Sequence, residues 1–157
     1  MAIPKKIINF LEGNKVKYET VEHKTVFTAH DKAATLKVAD KIIGKTLVVK
    51  LDKVMVLALI PANKNLDKQK LKKISKAKIV DFVKEAWMKK NLKGVKIGSV
   101  PPFGNLFKMP TFIDRGLMSN KKIVVSSGSH TDSIKINPAS FKKIIPDLVV
   151  GSFTKKR

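Results

Sequence analysis

Three short segments of the chain combine residue types that could do chemistry. The first is the run Gly98-Ser99-Val100-Pro101-Pro102-Phe103-Gly104. Two glycines bracket a proline pair, so the backbone is bent but stiff. Such a loop gives up its freedom on folding and not on binding, which suits it to present N–H groups to a ligand. From composition alone it reads first as a rigid connector between two elements, since most Pro/Gly loops are punctuation. The second is Lys45, set in the apolar run Ile42-Ile43-Gly44-Lys45-Thr46-Leu47-Val48-Val49. On a strand its side chain shares a face with Ile43 and Leu47, while Gly44 and Thr46 face the other way. A lysine placed there either snorkels to the edge or points into a polar site. The third is Ser126-Ser127-Gly128-Ser129-His130. Small residues around Gly128 make a turn whose amides could hold an oxyanion or phosphate. His130 could donate a hydrogen bond or move a proton near neutral pH, and by itself it also fits an ordinary surface turn.

Other chemistries find no support. His23, His30 and His130 are scattered, without the spacing of a metal site. There is no Walker loop, dinucleotide fingerprint or GxSxG elbow. Without a cysteine the chain has neither a disulfide framework nor a thiolate nucleophile. No cofactor and no metal is expected.

Charge points to a partner. Thirty-three basic residues against twelve acidic ones give a net charge of +21, an excess that attracts polyanions. Nearly all of it is lysine, because Arg115 and Arg157 are the only arginines. Lysine is a point charge without a bidentate fork, so it suits backbone attraction better than base reading. The densest stretch, Lys64–Lys96, holds twelve lysines against Asp67, Asp81 and Glu85. A solvated face that serves solubility would look the same. The apolar runs around Val54–Pro61 are too short to span a bilayer, and the first residues lack a signal-peptide pattern. A cytoplasmic protein is the expectation.

At 157 residues the chain is read as one domain, residues 1–157. Pro4 followed by Ile7, Ile8 and Leu11 and stopped by Gly13 predicts a short amphipathic helix. Alternation over Lys15–His23 predicts a strand. Thr28-Ala29-His30-Asp31 resembles a capping box opening a helix to about Leu36. Ile42–Leu51 and Val54–Pro61 predict two buried strands joined as a hairpin at Asp52-Lys53. Asn65–Ser75 has helical spacing under a lysine coat. Asp81 is expected to cap a second helix closed by Gly94. Thr111–Asp114, Lys122–Ser127 and Ser133–Ile136 predict further strands, Pro138–Ile145 a helix capped by Asn137, and Leu148–Phe153 a last strand. Residues 154–157 read as a basic tail that can be disordered. Together these elements predict an α+β fold, a mixed and largely antiparallel central sheet flanked by helices.

Taken in order, the segments resemble the YbaK / prolyl-tRNA synthetase-associated editing-domain family, over about His23 to Val150. The resemblance rests on Val26-Phe27-Thr28-Ala29, Gly44-Lys45-Thr46-Leu47-Val48-Val49 and Leu57-Ala58-Leu59-Ile60-Pro61-Ala62. Asn65-Leu66-Asp67, the Gly98–Gly104 loop, Phe112-Ile113-Asp114 and Ser127-Gly128-Ser129-His130 complete it. It implies a free-standing deacylase that hydrolyses the ester of mischarged tRNA, typically tRNA for proline carrying alanine or cysteine. It also implies tRNA as partner, in some relatives with prolyl-tRNA synthetase, and no metal or other cofactor.

By the same resemblance Lys45 is the characteristic site residue, near the terminal adenosine or the ester, and the GxxxP run Gly98–Pro102 lines the aminoacyl pocket. Amides near Gly98 and Gly128 would supply donors to developing negative charge. Phe27 and the residues from Val100 to Phe103, with Gly104 closing the loop, would wall a small side-chain pocket, a sieve by size. Thr28, Thr46, Ser129 and Ser133 complete the expected binding residues, and His130 is a further catalytic candidate. Ser133 stands where the cysteine-specific branch tends to carry aspartate, and Ser129-His130 replaces its Lys-Arg. That departure leans toward a small residue such as alanine or serine. A non-catalytic tRNA- or synthetase-binding module with the same fold is the alternative.

Overall fold

The computed structural model describes residues 3–25 and 29–157, the side chains of residues 29–31 excepted. A hairpin forms its centre. Strand β2 (Gly44–Leu51) and strand β3 (Val54–Pro61) pair antiparallel over their whole length. They turn at Asp52, whose φ is 55°, a conformation aspartate tolerates better than most residues. The Asp52 carboxylate accepts from the Lys78 and Ile79 amides, fixing the chain that returns past the hairpin.

Strand β3 is buried on both faces, which explains its unbroken apolar run. Val56, Ala58 and Ile60 face one apolar cluster, while Leu57 and Leu59 belong to two others. Beyond it lie β6 (Thr111–Asp114) and β9 (Val149–Gly151), both parallel, and on the far side of β2 lies β5 (Val80–Phe82), antiparallel. A second, antiparallel sheet runs β1 (Tyr18–Glu22), β8 (Asp132–Ile136), β7 (Ile123–Ser126). A single parallel bridge, Ile43 to Val124, joins it to the start of β2.

These pairings leave a gap. β7 bridges only to Ile43, the residue before β2, and the β5 ladder runs from Val49 to Leu51 with the Val83 amide donating to the Val48 carbonyl. Between them, among the described residues, Lys45, Thr46 and Leu47 have a paired strand on the β3 side alone.

Helices cover the faces: α1 (Lys5–Gly13), α2 (Ala29–Leu36), α3 (Lys68–Ser75) and α4 (Glu85–Asn91), with short α5 (Arg115–Met118) and α6 (Phe141–Ile144). Ile7 and Leu11, one turn apart on α1, are fully buried. No helix among the described residues is long and apolar enough to cross a membrane.

The fold is the expected mixed α+β one, with local corrections. Asp81 does not cap a helix; it sits in β5 opposite Lys50, because Val80 is buried and β2 offers an edge to pair with. The helix expected from Asn65 begins at Lys68, since Asp67 is its cap, accepting from the Gln69 and Lys70 amides. Lys64–Leu66 forms β4 instead. Pro138–Ile145 is a 3-10 turn followed by α6, with Asn137 capping it as its type predicts. The basic tail is not loose: Thr154–Lys156 forms β10 and pairs with β4. Phe153 anchors it, fully buried, while the Asp114 carboxylate accepts from the Phe153 amide and the Thr154 hydroxyl.

Candidate active site

The Gly98 loop is divided by burial into an anchor and a wall. Its second half is the anchor. Phe103 is fully buried between Phe10 and Phe141, with ring centroids 5.3 and 5.7 Å away. The Gly104 amide donates to the Thr111 hydroxyl at 2.9 Å, and a Cβ on Gly104 would collide with that hydroxyl and with the Met109 carbonyl. The prolines are buried as well. Pro101, Pro102, Phe103 and Gly104 therefore hold the loop and do not line the cleft in front of it.

The first half is the wall. Gly98 has φ 88°, which favours glycine. Gly98 and Val100 line a cleft of about 210 Å³ together with Thr46 and Val48 of β2 and Phe82, Glu85 and Met88 beyond them. Neither the Gly98 nor the Val100 amide has an acceptor among the described residues. The Thr46 hydroxyl is buried and has no hydrogen-bond partner among the described residues. A buried hydroxyl without a partner costs stability.

The Gly128 turn braces this wall. The Gly128 amide donates to the Ser99 carbonyl at 2.7 Å, and the Lys96 amide donates to the Gly128 carbonyl at 3.0 Å. The Ile97 carbonyl can only accept, so the His130 Nε2 contact at 3.1 Å fixes the proton on that nitrogen. The expectation that the Gly128 amide serves as an oxyanion donor is thereby corrected, because that N–H is already spent on Ser99. Neither Gly128 nor His130 lines the cleft; both position it.

Two further candidates are tied up inside the fold. Ser129 is buried in a polar knot with Thr131 and Asp132, in which the Ser129 hydroxyl donates to the Asp132 carboxylate at 3.3 Å. Ser133 is fully buried. His23 donates from Nδ1 to the Lys24 carbonyl, and its Nε2 lies within hydrogen-bond distance of the Ser133 hydroxyl at 2.9 Å. Phe27 and Thr28 lie outside the described residues.

Lys45 lies on the opposite face of β2 from Thr46. It lines a second cleft of about 520 Å³ with Lys68 and Lys155, bordered by Asn65, Asp67 and Gln69. Burial first, then the Arg157 guanidinium, hold its ammonium below the usual lysine range. The two clefts are neighbours, because Leu47 and Phe82 line both. The structure thus brings Lys45 beside the Thr46–Gly98 cleft without placing it inside.

Sequence reasoning missed one residue of note. Lys32 on α2 is only 5% exposed, and its ammonium donates to the Ser126 hydroxyl at 3.3 Å. Burial pulls its pKa down to about 8. Nothing in the polar run around it signals burial, which arises from the packing of α2 on β7. Among the described residues no group of three His, Asp or Glu side chains could hold a metal ion.

Residues 23–144 match the profile of the aminoacyl-tRNA editing domain. The chain belongs to this family. Among solved structures, the hypothetical protein APE2540 superposes with a TM-score of 0.86 at 22% identity, over 96% of this chain and 99% of that one. A candidate trans-editing enzyme for prolyl tRNA synthetase superposes with a TM-score of 0.82 at 19% identity, over 99% of each chain. At such identities the likeness shows the editing-domain fold. No curated protein matches the chain.

Proposed function

We propose that the chain is a trans-editing deacylase that hydrolyses the ester linking a small amino acid to a mischarged tRNA. The observation that carries the reading is a cleft of about 210 Å³ walled by the braced Gly98 loop and by Thr46, whose buried hydroxyl has no hydrogen-bond partner among the described residues. An aminoacyl ester is already activated, so the protein need mainly position it and stabilise the negative charge that develops on its carbonyl oxygen. The Gly98 and Val100 amides, without acceptors among the described residues, are the donors proposed for that oxygen, joined by the Thr46 hydroxyl when its buried oxygen turns to the cleft. Val48, Met88, Ile97 and Val100 give the cleft apolar walls, suited to a short side chain. A stiff loop makes a good sieve, because a wall that yields would admit larger residues.

Water attacks the ester carbon and the tRNA's ribose oxygen leaves. A proton of that water ends on the leaving ribose oxygen, relayed either by the neighbouring ribose hydroxyl or by Glu85, the one carboxylate that lines the cleft among the described residues. Replacing Glu85 by Gln separates these routes: a large fall in kcat at unchanged KM assigns the proton to the carboxylate. Lys45, in the adjoining cleft, supplies positive charge to the acceptor end of the tRNA.

The test of the whole reading is a panel of aminoacyl-tRNAs incubated with the protein. Loss of ester confined to small residues, with prolyl-tRNA for proline spared, is the expected result. Salt-sensitive binding of uncharged tRNA with no ester lost from any member would sink it in favour of a binding module.

A further inference from the structure

Phe82 is 56% exposed, one of three large apolar side chains that the described fold leaves open, with Val54 and Ile79. A single exposed apolar residue needs no explanation by itself. The position of Phe82 does. It stands at the end of β5 beside the stretch of β2 that has no paired strand on that side among the described residues, and it borders both clefts. The Lys68 ammonium lies 5.2 Å from the ring centroid, within the range of a cation–π contact. Lys45 and Lys155 line the same cleft, whose one carboxylate, Asp67, is occupied in capping α3.

An aromatic face among uncompensated lysines is the arrangement by which proteins hold unpaired nucleotides: bases stack, and phosphates meet the cations. We propose that Phe82 is a stacking platform for the unpaired 3′-terminal nucleotide of an RNA, with its phosphates turned toward Lys68 and Lys155. A nucleotide lying across Phe82 has its ribose at the border shared with the small cleft, so an ester on that ribose enters between Thr46 and Gly98. The proposal rests on the deacylase reading for the identity of the RNA end, and not for the stacking itself.

The experiment uses a single-stranded RNA pentamer with 2-aminopurine at its 3′ end, whose fluorescence falls when the base stacks. Wild-type protein is expected to quench it. Phe82→Leu keeps an apolar side chain at an exposed position but has no aromatic face. It should bind at least tenfold more weakly and leave the probe bright, while Phe82→Tyr restores both. Lys155→Met should keep the quench and lower the slope of log affinity against log salt by about 0.7. Equal quenching by wild type and Phe82→Leu, or binding by wild type with no quench, overturns the proposal. Hydrolysis of an aminoacyl-tRNA is measured alongside: intact stacking with no ester loss would remove the deacylase reading and leave the nucleotide site standing.

Discussion

The Gly128 amide donates to the Ser99 carbonyl across 2.7 Å, and through that bond a turn remote in sequence sets the position of the Gly98 loop. Gly128 has φ 96°, and a Cβ there would come within 3.0 Å of Val95 and 3.1 Å of Pro4. The turn therefore needs glycine for space and conformation rather than for an amide offered to substrate. His130 adds a second tie, from Nε2–H to the Ile97 carbonyl. Rigidity in the wall of the candidate site is thus supplied from outside it, by residues that do not line it.

His130 is a positioning residue on this view. His130→Ala should lower deacylation about tenfold and relax discrimination between alanine and larger residues, because the wall moves. His130→Gln can place an N–H donor near the Ile97 carbonyl and should restore most of the discrimination. The readout is the ratio of kcat/KM for two aminoacyl-tRNAs of different side-chain size. A uniform loss with an unchanged ratio, unrelieved by Gln, would show that the histidine acts directly in the chemistry.

Thr46→Val removes the partnerless hydroxyl at nearly constant volume. In the free protein this should leave stability unchanged or raise it by about 1 kcal/mol, since a buried unsatisfied group is lost. Deacylation should fall by about 10²-fold or more, the usual effect of removing one oxyanion donor. Urea unfolding and single-turnover hydrolysis check the two halves. Full activity in a stabilised variant would mean that the hydroxyl meets no substrate.

Much of the scaffold was legible because it is written in local patterns. The β2–β3 hairpin follows from two β-branched runs separated by Asp52-Lys53, and the α3 cap follows from Asp67. Elements created by tertiary pairing were not. Asp81 has the type of a helix cap, yet β2 draws Val80–Phe82 into a strand; Lys155 looks like tail, yet Phe153 pins it. The candidate site was legible in its segments and not in its geometry. Alternation along β2 separates Lys45 from Thr46, but only the sheet shows that the Gly98 loop lies on the Thr46 side. Phe82 and Lys32 carry no signal in the sequence, because one is notable for exposure and the other for burial.

Lys45 borders the larger cleft and not the smaller, and on the proposed deacylase reading it holds the RNA end. Lys45→Ala should raise KM for aminoacyl-tRNA at least tenfold at low salt with a smaller change in kcat, and the loss should shrink as salt is raised, because the variant has one phosphate contact fewer to screen. Steady-state kinetics at two salt concentrations test this. Ester hydrolysis unchanged by the substitution would remove Lys45 from the site altogether.

Lys32 gives the fold an unusual pH dependence. Its folded pKa of about 8 lies below the value of 10.5 for an exposed lysine. Between those values the unfolded chain binds more protons, so the Lys32 contribution to stability rises with pH across that window. Below about pH 8 the burial cost is present in full, and the shift corresponds to about 3 kcal/mol. Lys32→Met removes that cost while leaving the Ser126 hydroxyl without its partner, a loss of about 1 kcal/mol. The variant should therefore be more stable than wild type at pH 7, by about 2 kcal/mol. Its advantage should shrink steadily between pH 8 and pH 10, as the wild-type ammonium loses its proton in the folded state. Urea midpoints for both proteins at pH 7, 8.5 and 10 measure the difference, in which the other lysines cancel. A difference that stays constant with pH would show that Lys32 is solvated in the folded protein, with water reaching it beside Ser126.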